Sequence, residues 1–116
     1  MAHMLCLLDE MRGRLGMFLG STSLTKLAAF LRGYDYALEK CGGGSDPFLA
    51  AFRDWIQRRY QITSRSWENV VLDHSADEVD AVRLFWELLA EFRQTREAVV
   101  TANGPVDSQQ QETAKG

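Results

Sequence analysis

Residues that bind metals or carry redox chemistry are scarce in this chain. It has two histidines and two cysteines in 116 residues. Cys6 and Cys41 lie far apart and in no CxxC pattern, which excludes a zinc ribbon and any disulfide framework. They read as free thiols of a reducing cytosol. Long apolar runs are missing too: none approaches the ~20 residues that a membrane span requires. The N-terminus lacks the basic flank and apolar stretch of a signal peptide. Positive charge is not in excess, with 13 Lys and Arg against 16 Asp and Glu and a net charge of −3. That balance argues against sequence-independent nucleic-acid binding, which needs a basic footprint.

What is present is core material. Hydrophobic residues make up 46% of the chain, with three Trp, six Phe and three Tyr. These are ordinary values for a globular protein of one domain. Met1, Ala2, His3 and Met4 read as a start followed by a cloning scar, with Met4 as an alternative start. The domain is then expected over 5–102.

Leu5, Leu8 and Met11 mark a short helix over 5–12. Gly13, Gly16 and Gly20 punctuate a loop whose Met17, Phe18 and Leu19 are too apolar for water, so they are expected to fold onto the core. Ser21, Thr22 and Ser23 offer N-cap oxygens. Leu24, Leu27, Phe30 or Leu31, Tyr34 and Leu38 then give one apolar face. Lys40 suits the helix C-terminus, and Gly42, Gly43 and Gly44 end it through the left-handed conformation. Asp46 as cap and Pro47 at the first position start a third helix, with Phe48, Ala51 or Phe52, Trp55 and Ile56 on one face. Gln61, Ile62 and Thr63 favour an extended link. Ser64 or Ser66 caps a short helix carrying Trp67, Val70 and Val71. Ser75 with Glu78 matches a capping box, after which Val79, Val82, Phe85 or Trp86, Leu89 and Phe92 mark a long helix to about Val100. From Asn103 the polar, glutamine-rich composition predicts a disordered tail over 103–116. The expected fold is all-α, a compact bundle of four to five helices with short loops.

No constellation adds up to a catalytic site. Asp73, His74, Asp77, Glu78 and Asp80 could hold a cation, but each has a role at a helix end, where caps and first-turn carboxylates belong. Arg53, Arg58, Arg59 and Arg65, with Tyr60 and Trp67, could contact phosphate or bases. Asp54 and Glu68 interleave with them, so a solvated surface of paired charges is the stronger reading. The glycines around Met17 fit neither the dinucleotide fingerprint nor the P-loop. Cys41 at a helix C-terminus sits where the dipole disfavours a thiolate. No cofactor or metal is implied, and an enzyme is not expected.

One run of motifs is distinctive. Arg14-x-Gly16-Met17-Phe18-Leu19-Gly20 is followed by Ser23-Leu24-x-x-Leu27-x-x-Phe30-Leu31-x-Gly33-Tyr34. Phe52-x-x-Trp55, Ser66-Trp67 and Leu84-Phe85-x-x-Leu88-x-x-x-Phe92 come after it. This order resembles a group of short bacterial proteins, some of which look like the immunity proteins of polymorphic toxins. Leu15 stands where such loops often carry proline. The resemblance implies a cytoplasmic, antitoxin-like binder that blocks a toxin domain by stoichiometric association, and it supplies no catalytic residue.

The expected function is therefore a non-catalytic protein-binding module, with a toxin domain as partner and neither nucleic acid nor membrane. The candidate partner-binding residues are the carboxylates Asp35, Glu39, Glu68, Asp73, Asp77, Glu78 and Asp80, which would speed association with a basic toxin. The alternatives are a self-associating subunit that forms a homodimer and a small metal-dependent protein around His74.

Overall fold

The computed structural model describes residues 1–42, 44 and 46–103, with side chains through residue 96. Among them lie six helices and no strand: α1 (Ala2–Met11), α2 (Leu15–Leu19), α3 (Leu24–Cys41), α4 (Phe48–Tyr60), α5 (Trp67–Asp73) and α6 (Glu78–Asn103). The all-α expectation holds, and the count reaches six because the glycine-bracketed loop contains the one-turn α2. No helix among the described residues is long and apolar enough to cross a membrane.

The chain divides into two units, Met1–Phe85 and a second beginning at Trp86. The first holds α1 to α5 and residues 78–85 of α6. Within the second, Arg96 lies over the Phe92 ring at 5.7 Å, and Thr95 Oγ1 donates to the Glu91 carbonyl at 2.9 Å. Asn103, expected to open the tail, is the last residue of α6. The rest of that expected tail, 104–116, lies outside the described residues.

The core of the first unit is an aromatic cluster centred on Phe52. Its ring stacks on Phe48 at 5.3 Å and on Trp55 at 6.0 Å. It meets Trp67 and Phe85 edge-on at 5.4 and 5.7 Å. Both edge-on and offset-stacked pairs suit the ring quadrupoles. The cluster thereby joins α4, α5 and the start of α6. Leu24, Leu27, Ala28 and Leu31 of α3 are also buried, as are Met4, Leu8 and Met11 of α1.

Three local expectations need correction. α1 begins at Ala2 rather than Leu5, because burying Met4 with Leu8 and Met11 completes an i, i+4, i+7 stripe. The expected burial of Met17 fails: helical winding in α2 turns Leu15 inward and leaves Met17 76% exposed. Phe18 is half-buried and meets Phe30 edge-on at 6.3 Å. Val79 is likewise 61% exposed, because the buried stripe of α6 runs through Ala81, Val82 and Phe85.

The helix ends follow the sequence signals more closely. Ser23 Oγ accepts the Lys26 N–H at 3.2 Å. Gly20, at φ +83°, closes α2 in the left-handed region. Gln61, at φ +58°, does the same for α4, and the Ile62 N–H donates to the Gln57 carbonyl. Gly42 ends α3 at φ −116°, outside that region. A Cβ there would stand 3.2 Å from the Leu38 carbonyl oxygen, a tight contact that a larger residue would relieve only by a shift of a few tenths of an ångström. Gly43 lies outside the described residues.

Candidate interaction surface

The seven candidate carboxylates lie on α3 (Asp35, Glu39), on α5 (Glu68, Asp73) and at the start of α6 (Asp77, Glu78, Asp80). α3 is about 27 Å long at 1.5 Å per residue, and different carboxylates meet it or project from it along that length.

Glu78 works at its N-terminus. Glu78 Oε1 accepts from Ser23 Oγ and from the Thr25 N–H, both at 3.0 Å, and Oε2 accepts from Thr25 Oγ1 at 2.7 Å. Helix N-termini leave unsatisfied N–H groups and carry partial positive charge, so a carboxylate is favoured there. The Thr25 N–H and hydroxyl, with a further contribution from Ser23, hold the Glu78 carboxyl below the usual carboxylate range. Glu78 therefore ties α6 to the start of α3.

This use of Glu78 changes the cap of α6. The expected capping box does not form: Ser75 Oγ donates back to the Val71 carbonyl at 2.7 Å. Asp77 is the cap, accepting the Asp80 N–H at 2.8 Å. Asp80 reaches back to the Ala76 N–H at 2.9 Å and also accepts from Arg83 Nε at 2.8 Å. The Ala76 N–H, then Arg83, lowers the Asp80 carboxyl. The cap is thus built on Asp77 and Asp80, two residues later than expected, with the return bond from Asp80 going to Ala76, one residue before the cap. Glu78 is free for α3 as a result.

Glu68 meets the middle of α3, where Arg32 donates to it at 2.6 Å. Burial pushes the Glu68 carboxyl up, but the hydrogen bond from Arg32 and its own backbone N–H outweigh this and the net direction is down. Asp35 accepts the Asp46 N–H at 3.1 Å. Asp73, at the end of α5, pairs with Arg65 at 2.6 Å. Glu39 is exposed on the outer side of α3. Asp77, Glu78 and Asp80 are brought together at one end; Asp35, Glu68 and Asp73 are engaged elsewhere.

Asp46 is a residue whose wider role the capping signal did not reveal. It is 6% exposed. Its Oδ1 accepts the Phe48 N–H at 2.8 Å, the expected cap of α4. Its Oδ2 also accepts the Met4 N–H at 3.3 Å and lies 3.5 Å from the Met1 nitrogen. One carboxylate thus serves the N-termini of α1 and α4. The Asp46-Pro47 signal announced only the second, because the first partner is 42 residues away.

The other sequence candidates take local roles. His74 Nδ1 is 2.9 Å from the Val70 carbonyl, and the ring packs against Tyr60 at 4.4 Å. Among the described residues no three His, Cys, Asp or Glu side chains converge to hold a metal. Arg53 bonds Asp54 through Nε and Nη2, and Arg59 lies over the Tyr60 ring. Trp67 is buried in the aromatic cluster, so it offers no stacking face.

Met17, Tyr36 and Val79 are large side chains left exposed. Met17 projects from α2, directly before α3, and Val79 follows the Glu78 that pins the α3 N-terminus. No family model matches this chain, nor does any curated protein or solved structure.

Proposed function

We propose that this chain is a non-catalytic protein-binding module, an immunity protein that neutralises a cognate bacterial toxin in the cytoplasm by stoichiometric binding. The observation that carries the reading is the outward Met17. It stands 76% exposed on a helix braced from beneath by buried Leu15 and by Phe18 against Phe30. An unbranched thioether is adaptable, and Met is enriched at binding surfaces. Val79 adds a second apolar side chain near the α3 N-terminus. Asp77 and Asp80 stand beside it as a polar rim, which suits a partner with basic groups. Such a module works by covering the toxin's active site or substrate surface and needs no cofactor.

The test is affinity capture with the tagged full chain as bait in extract of the producing bacterium, followed by growth assays with the captured protein. Recovery of one toxic protein at near-equal stoichiometry, with growth restored by co-expression, is the expected result. The Met17→Glu variant should lose that protein while keeping its melting temperature, because an exposed substitution away from packing changes stability by less than about 0.5 kcal/mol. Recovery of the bait alone, as a dimer, would overturn the proposal in favour of a self-associating subunit.

A further inference from the structure

We draw no further inference here: the strongest candidate, the cleft between α1 and α3 lined by His3, Cys6, Glu10 and Tyr34, rests on a lone exposed thiol, and among the described residues no three His, Cys, Asp or Glu side chains converge to hold a metal there.

Discussion

A single carboxylate can decide how two helices begin, and Glu78 illustrates the point. In sequence it completes a capping box with Ser75; in the fold it accepts from Ser23 and Thr25, 55 and 53 residues away. Its folded pKa is depressed by the Thr25 N–H and hydroxyl. A depressed carboxylate contributes stability that is present above its unfolded value of about 4.3 and is lost as pH falls through the folded value. Unfolding midpoints in urea should therefore drop as pH falls below about 4.3, and Glu78→Gln should drop less steeply over the same range. Equal slopes in the two proteins would remove Glu78 from the account, leaving Asp80 and Glu68, whose carboxyls are also held low. The same reassignment of caps makes Asp77 the start of α6. Asp77→Ala should cost about 1 kcal/mol, read as a lower thermal midpoint. A loss larger for Ser75→Ala than for Asp77→Ala would return the cap to Ser75.

At the scale of elements, amphipathic patterns of about two turns or more were legible in outline and the one-turn α2 was not. The faces of α3, α4 and α5 follow from apolar spacing, and Phe48, Phe52, Ile56, Trp67, Val70 and Val71 are all buried as that spacing predicts. α2 was hidden because five residues show too few turns to fix a phase, so Met17, expected on the core, projects outward while Leu15 is buried. Val79 misled for a related reason: it stands next to the stripe of α6 and only phase separates the two. Of the candidate surface, the residue types were readable but their partners were not, since Arg32 with Glu68 and Asp46 with Met4 are joined by tertiary approach. Two predictions belong here. Phe52→Ala should cost about 3–5 kcal/mol, because the ring touches Phe48, Trp55, Trp67 and Phe85 at once. A loss under about 1 kcal/mol would mean that the cluster collapses to fill the gap. Asp46→Ala should remove the acceptor of two helix starts, at about 1 kcal/mol for each cap. Hydrogen exchange at the Met4 and Phe48 amides should then accelerate together. Faster exchange at Phe48 alone would show that α1 does not depend on Asp46.

Across the whole molecule, charge and core have different tasks. The ion pairs Arg53–Asp54, Arg65–Asp73 and Arg83–Asp80 are largely exposed, while in Arg32–Glu68 the arginine is exposed and the glutamate mostly covered. Exposed pairs contribute about 0–1 kcal/mol each, and salt screens them. Burial of the aromatic cluster and the leucines of α3 is not screened, because it rests on removing apolar surface from water. Raising sodium chloride from about 0.05 to about 0.5 M, where the Debye length falls well below 10 Å, should therefore change the unfolding free energy by less than about 2 kcal/mol. The proposed encounter should respond far more, since steering between a charged surface and its partner weakens steeply with ionic strength. Urea titrations at the two salt concentrations, set beside the yield of partner capture by the tagged full chain at the same concentrations, separate the two effects. A fold that loses several kcal/mol in salt would place the exposed pairs among the main supports of the structure, and the division of labour between surface charge and apolar core would be wrong.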